Sequence, residues 1–441
     1  MKTNEKSPLD KTTLISRLVV ALLWLAVGFW SWNWLGPIWV KALRPGPAQF
    51  IDFYQDWGSA RNYWNGLPIY TPHSISVPRY LGLSSNPEPS IEYNVHPPTS
   101  VLLALPLGRL GYPAAALVWN MVSLSIFMIS IAIVAVALSI PRSLFLPGLA
   151  LLPFCVPVLG NLQMAQITMI LCFCVTAIWG LERSGRSNWA ALILGAAAAI
   201  KLFPAYLALY YLAQGRVRPL LTALVSFATL TFVTALVLGL DTYRDYVTVV
   251  LPWNAEFRII GYSLSIAGLW HKLFFPTNAG ERIIPLWHSL AIARWGTLLS
   301  NLTITATVAI FAYRARTRPE RDLAFATIVT AMLLVSPVTW DISLLLLFLP
   351  IAIIGRSTGN LRSKWMPATL VLIVATVWVP QLLLTSLITG GRTIEVAPPS
   401  FLLGAASIKF YALLGTLVLG LLALRADVMN ARGGATAGAA P

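Results

Sequence analysis

Charge is scarce in this sequence, and acid most of all. The 441 residues include 31 Lys and Arg but only 16 Asp and Glu, with four His and three Cys. Hydrophobic residues make up 57% and the mean hydropathy is +0.73, more apolar surface than a water-soluble fold can cover. A soluble enzyme, a disordered chain and a disulfide scaffold are thereby excluded. Cys155, Cys172 and Cys174 all lie in apolar runs and read as small buried hydrophobes. Cys172 and Cys174 are too close for zinc-ligand spacing, and no His-rich cluster accompanies them. Phosphate-binding glycine motifs are missing, both GxxxxGK(S/T) and GxGxxG after a strand, as are HExxH and an acidic DxD pair. No metal, no cofactor and no metal-held nucleotide donor is expected. What is abundant is Trp and Tyr, 17 and 14, which suit the two interfaces of a bilayer.

A helix needs about 20 apolar residues to cross the hydrocarbon core. Runs of that kind fall at 14–35, 113–138, 143–159, 164–181, 219–239, 287–313, 322–337, 340–355, 365–388 and 401–424. The first has a long apolar run and no small-residue cleavage site, so it is expected to stay as an anchor. Residues 188–213 do not fit one span, because basic turns flank them on both sides (Glu182-Arg183-Arg186 and Arg216-Arg218). Pro204 and the restriction it places on the preceding residue predict two short helices meeting at Lys201–Pro204, entering and returning on one side. The expected architecture is an all-α polytopic membrane protein of about 12 membrane helices and half-helices, with interfacial helices on its outer face. Residues 1–426 form one domain, and the Gly/Ala-rich 427–441 is expected to be a disordered tail.

Charge placement sets the expected orientation. With the N-terminus inside, inner segments hold 18 Lys and Arg against 6 Asp and Glu, and outer segments hold 10 of each. That is the positive-inside pattern, so both termini are expected in the cytoplasm of a bacterial-type plasma membrane. The excess of positive charge then marks orientation and anionic headgroups, and no nucleic-acid partner is implied. Two long outer loops result, 36–112 and 240–286, and any extramembrane chemistry lies there.

The first loop reads FIDFYQDWGSARNYWNGLPIYTP over 50–72. Asp52 and Asp56 are four apart, hence on one face if helical, with Arg61 nearby. Two readings stand side by side: an amphipathic helix lying on the membrane, or a carboxylate that deprotonates an acceptor hydroxyl. The loop closes with Asn94, His96 and two prolines ahead of a short apolar run, which predicts an interfacial helix. His96 is either a solvated loop residue or a hydrogen-bond donor beside a carboxylate and a phosphate. Lys201 is an ammonium within an apolar segment, a functional candidate by default and suited to a lipid-linked phosphate. Lys409 and Arg294 also fall in spans, where snorkelling is open to both. The amide-rich outer turn Gly160–Gln166 either caps helices or binds sugar hydroxyls. In the second loop Arg258 and Tyr262 precede an amphipathic stretch ending at Lys272, which covers a cavity or lies on the surface.

These residues stand in an order that resembles a known family. Asp52-Phe53, Ala60-Arg61, Gly66 and Tyr70 are followed by Asn94-x-His96-Pro97-Pro98, the Gln166 turn, Ala199-x-Lys201-Leu202-Phe203-Pro204-Ala205 and Ser336-Pro337-x-Thr339-Trp340. The pattern resembles glycosyltransferase family 87, the polyprenyl-phosphate-mannose-dependent mannosyltransferases of the GT-C superfamily, over most of 50–355. The resemblance implies a GT-C-type fold and inverting, metal-free transfer of a hexose, mannose by the family's pattern. The implied donor is polyprenyl-phosphate-linked, and the implied acceptor is a lipid or glycan hydroxyl at the outer face. It implies Asp52 as base and Lys201 at the donor phosphate, with His96, Arg61, Arg258, Asn94, Gln166, Tyr262 and Trp340 as substrate-binding candidates and Asp56 as a companion orienting Arg61 or the acceptor. The chain departs from the pattern after Trp340, where Asp341-Ile342-Ser343 replaces a histidine-containing element. A transporter of lipid-linked or small solutes is the other class open to such a chain, but its acids avoid the span interiors and the two halves show no repeat.

Overall fold

The computed structural model describes residues 11–88, 91–254, 263–276, 282–358, 365–390 and 396–437. Helices dominate. In chain order they are α1 Lys11–Leu43, α2 Phe53–Trp64, α3 His73–Leu81, α4 Pro98–Ala104, α5 Tyr112–Ala137, α6 Arg142–Leu151 and α7 Val156–Gln163. Next come α8 Thr168–Arg183, α9 Ser187–Ile200, α10 Ala208–Ala213, α11 Val217–Leu238, α12 Leu240–Asp245, α13 Leu251–Asn254 and α14 Ile266–Phe274. The last are α15 Leu290–Arg314, α16 Arg318–Val335, α17 Phe348–Thr358, α18 Trp365–Trp378, α19 Gln381–Thr389, α20 Pro399–Leu403 and α21 Ile408–Ala437. Among the described residues the extended pairing is a two-residue parallel bridge, Arg282–Ile283 against Val396–Ala397, which ties two expected outer segments together. The core is a continuous apolar cluster centred on α16, buried from Leu323 through Leu334 and packed by α15, α17 and α21.

Five described helical stretches are long and apolar enough to cross a membrane, six if one bent pair counts as a span. The expectation of ten unbroken spans is corrected at four of the runs. The 143–159 run is bent by 47° between Arg142–Phe154 and Val156–Gln163, where Pro153 and Pro157 withdraw N–H donors. The 365–388 run breaks into α18 and α19 at Val379-Pro380 for the same reason. The 322–337 segment belongs to a helix whose first turns carry Arg318, Glu320, Arg321 and Asp322, and the 164–181 segment forms a 16-residue helix. Two loop boundaries also move. α1 runs on to Leu43, and α21 continues through the expected tail to Ala437, because Ala, Met and Arg are good helix formers.

The 188–213 hairpin forms as expected. α9 ends at Ile200, Lys201 is extended (φ −148°, ψ 131°), and a 3-10 turn, Phe203–Leu207, leads into α10. Both ends of the hairpin return to one place: Arg216 bonds Glu182 at 2.7 Å and also reaches Ser187, while the Tyr211 hydroxyl donates to Glu182 at 3.0 Å. Gly195 lets α9 lie against α11, since a Cβ there would come within 2.2 Å of the Ala223 carbonyl oxygen. The same end of the bundle gathers the other basic turns, with Arg183 on Asp322 and Arg318 on the Arg183 carbonyl. A Thr317–Glu320 capping box starts α16 there. At the opposite end the expected outer segments meet one another. Asn161 donates to the Ile342 carbonyl at 2.8 Å, and Leu264 N–H donates to Thr339 at 2.7 Å. The bundle therefore has a basic end and a loop end, and the chain is an integral membrane protein.

Candidate active site

α2 is not a surface helix. Phe53 through Ala60 and Asn62 are buried, so the reading of 50–72 as a helix lying flat on the membrane is set aside. Its amino end docks on the α7–α8 turn, where Phe53 N–H donates to the Met164 carbonyl at 3.1 Å. Gly108 permits the second close approach, because a Cβ there would sit 2.8 Å from the Ala60 carbonyl carbon. The 98–109 segment is thus pressed against α2 as a helix and a 3-10 turn, buried along Pro98–Val101.

One polar face of α2, spaced three and four residues apart, carries Asp52, Gln55, Asp56 and Ser59. The Asn94–Pro98 segment wraps over it. Asn94 Nδ2 donates to Asp56 Oδ1 at 3.2 Å and to Ser59 Oγ at 3.1 Å, and Val95 N–H donates to Gln55 at 3.0 Å. Ser100 Oγ donates to Asp56 Oδ1 at 2.5 Å. His96 Nδ1 lies 2.9 Å from Asp56 Oδ2, its backbone N–H bonds Asn94 at 3.0 Å, and its carbonyl accepts from Tyr70 at 2.8 Å. With Nδ1–H given to Asp56, the ring is fixed in tautomer and orientation, and no described group bonds its Nε2. Burial alone would raise Asp56, but the charge of His96 and the hydrogen bonds from His96, Ser100 and Asn94 outweigh it and hold the carboxyl below the ordinary range.

Asp52 is treated differently. It occupies the N-cap position of α2, yet its side chain makes no cap bond and takes the Gln166 amide instead. Burial pushes its carboxyl up, against the opposing pull of His96, the Gln166 hydrogen bond and the Lys201 charge. Gln166 is delivered by a turn in which Ala165 sits in the left-handed region at φ +46°, a strained place for a residue with a Cβ. The amide-rich Gly160–Gln166 turn is therefore shorter than expected, since α7 holds Gly160 through Gln163.

Lys201 closes the cluster. The break at the end of α9 leaves its ammonium 6.0 Å from the Phe203 ring centroid, within electrostatic reach of Asp52 and Asp56. Among the described residues its ammonium has no hydrogen-bond or ion-pair partner. Asp52, Asp56, Asn94, His96, Gln166 and Lys201 are thus brought together from four separated parts of the chain.

The remaining candidates do not join them. Arg61 donates to the Gly108 carbonyl at 3.0 Å, so Asp56 orients His96 and not Arg61. Trp340 starts a 3-10 turn over Asp341–Leu347 with no described contact to the cluster. Arg258 and Tyr262 lie outside the described residues. Lys409 does not snorkel: it is fully buried and donates to both Asp341 oxygens at 2.6 and 2.7 Å, so the acid found after Trp340 has a partner of its own. Lys272 is buried, donates to Ser407 at 3.3 Å, and burial pushes its ammonium down to about 8. Ser100 and Gln55 were missed by sequence reasoning. Ser100 falls four residues after His96 in a helix begun by two prolines, a signal visible only once that helix is known to face α2. No three of the described His, Cys, Asp and Glu side chains gather as metal ligands.

The family model of glycosyltransferase family 87 matches residues 94–337, more than half of the chain. The chain belongs to glycosyltransferase family 87. The match begins at Asn94, within the loop that covers α2, and runs past Lys201 to Pro337; the α2 carboxylates precede it. Two relatives in Mycobacterium tuberculosis are similar over most of their length. A polyprenol-phosphate-mannose-dependent alpha-(1-2)-phosphatidylinositol mannoside mannosyltransferase is 28% identical over 367 residues, 76% of each chain. A polyprenol-phosphate-mannose-dependent alpha-(1-2)-phosphatidylinositol pentamannoside mannosyltransferase is 25% identical over 331 residues, 74% of this chain and 69% of the relative. No solved structure matches the chain. A membrane glycosyltransferase is accordingly what the family 87 fold supports here.

Proposed function

We propose that this family 87 protein moves a mannosyl residue from a polyprenyl-phosphate donor to a hydroxyl of a lipid-anchored glycan, with inversion and without metal. Phosphatidylinositol mannosides, named for both relatives, are the acceptor class to test first. The observation that carries the reading is the pairing of Asp52 with Lys201. A desolvated carboxylate that does not cap its helix stands within electrostatic reach of an ammonium that no described group pairs with. In-line displacement at an anomeric carbon needs those two groups on its two sides. Asp52 accepts the proton of the attacking hydroxyl as the new C–O bond forms. The bond from the anomeric carbon to the phosphate oxygen breaks, and polyprenyl phosphate departs with both electrons, its charge met by Lys201 in a water-poor setting. His96, held by Asp56, presents Nε2 to the acceptor or the phosphate, and Gln166 keeps Asp52 aimed. The loop end lies at the outer face, the termini and the hairpin base lie in the cytoplasm, and about twelve membrane segments complete the bundle.

Purified protein supplied with radiolabelled polyprenyl-phosphate mannose and a phosphatidylinositol mannoside tests this reading. Transfer that persists with a chelator, gives an α-linked product from a β-linked donor, and is lost in Asp52→Asn is the expected result. Donor turnover untouched by Asp52→Asn, or solute movement with no covalent product, would overturn it. Cysteine labelling at Arg216 tests the topology, and labelling from the outer face would reverse it.

A further inference from the structure

The basic end of the bundle carries a surface that the transfer reaction does not use. Arg186 precedes α9 and Arg218 lies in the first turn of α11; both are exposed, and neither guanidinium has a hydrogen bond or ion pair among the described residues. The two helix starts are neighbours, because Arg216 reaches Ser187. Glu182 does not neutralise the pair, since Arg216 and Tyr211 already occupy its carboxylate. Beside the two arginines, Leu192 forms a ridge along α9 with an apolar groove on either side. One groove, of about 420 Å³ and bounded by Arg186, Trp189 and Ile193, runs between α8 and α9. The other, of about 490 Å³ and bounded by Arg218, Leu221 and Val225, runs between α9 and α11. Trp189 stands 64% exposed beside the first, as a side chain at a headgroup interface does.

We propose that this surface binds one anionic phospholipid, its phosphate between Arg186 and Arg218 and its two acyl chains in the grooves on either side of Leu192. Charge selects the occupant: two cations with no pairing and no free acid beside them among the described residues favour a headgroup of net negative charge over a zwitterionic one. The positive ends of α9 and α11 add to the same field. Shape selects two chains, because one cationic mouth opens onto two apolar grooves. α9 ends at Ile200 and Lys201 follows it directly, so a lipid clasped at the start of α9 steadies the helix that presents that ammonium at its other end.

Native mass spectrometry of the full chain in detergent, titrated with phosphatidylglycerol or with phosphatidylcholine, measures the binding. One phosphatidylglycerol should be retained more tightly than any phosphatidylcholine. Arg186→Gln with Arg218→Gln should weaken it roughly thirty-fold, about fivefold for each cation near an anionic headgroup, and leave phosphatidylcholine unchanged. Leu192→Trp, which puts a bulky ring where the two grooves meet and keeps both arginines, should weaken it as well. An unchanged melting temperature without added lipid shows that each variant is folded. Equal retention of the two lipids, native affinity in the double variant, or full competition by glycerol phosphate alone would overturn the proposal.

Discussion

Lys201 and Lys409 are both ammonium groups among apolar helices, and the protein handles them in opposite ways. Lys409 sits where α21 passes the start of the Asp341–Leu347 turn, fully buried and held by both carboxylate oxygens of one acid. Lys201 sits where a helix stops, partly exposed, with two carboxylates in electrostatic reach and neither in contact. The first arrangement satisfies a charge and leaves it nothing more to do. The second keeps a charge available, which costs stability unless a ligand of opposite sign completes it. The same contrast separates the two acids of α2. Asp56 is saturated by His96, Asn94 and Ser100, whereas Asp52 has one amide and an open side. Pairing thus distinguishes groups that hold the fold from groups that wait for substrate, where residue type and sequence spacing do not.

The comparison can be broken at each of its parts. The largest effect is expected at Asp52. Asp52→Asn keeps the shape and the Gln166 contact but cannot take a proton, so turnover should fall by about 10²–10⁴ in a donor-transfer assay while the protein melts normally. At the paired site the loss should be in stability instead. Asp341→Ala strands the Lys409 ammonium and should cost toward the lower end of roughly 3–5 kcal/mol, since Asp341 keeps 31% of its side chain exposed. Thermal unfolding in detergent would register it, and the double change Asp341→Leu with Lys409→Met should recover most of the loss. An equal fall in the double variant would mean that the pair itself is not what matters there.

Lys201→Ala should do the reverse, weakening donor use roughly 10–100-fold, as for a lost charged hydrogen bond, with the melting temperature no lower. Lys201→Arg should recover part of this, because a planar fork does not reproduce a compact ammonium. If the alanine variant melted early and bound donor normally, Lys201 would be a structural group like Lys409. The smallest effect is a shift in pH dependence. The Asp52 carboxyl is held above its ordinary value of 3.8, so its basic form is lost as pH falls through that raised value, and turnover should fall with it. Gln166→Leu removes a hydrogen bond that favours the charged form. The acid limb of the turnover profile should then move to higher pH. A limb that stays in place would separate Gln166 from Asp52.

Much of this site was legible in the linear chain. An acid pair four apart, a histidine before two prolines and a lysine before a proline all report local chemistry that helices and prolines impose within a few residues. The roles inside the pair were not legible. Asp52 and Asp56 share one helical face, so spacing does not separate their roles, and only the path of Asn94–Ser100 over α2 shows that Asp56 takes the histidine. Lys409 read as a snorkelling cation because its partner is Asp341, 68 residues away. The bend at 143–159 was hidden because hydropathy counts apolar residues and is indifferent to direction, although Pro153 and Pro157 stood in plain view.

The membrane setting, the all-helical class, the family and the broken hairpin are written along the chain. Hydropathy, charge asymmetry and proline act locally or by simple addition along the chain. The tertiary structure alone decided which charges are paired, which carboxylate is open, and that α2 is buried and not lying on the membrane. Those outcomes depend on contacts between segments tens to hundreds of residues apart, where a charge has one effect beside its counter-ion and another without it.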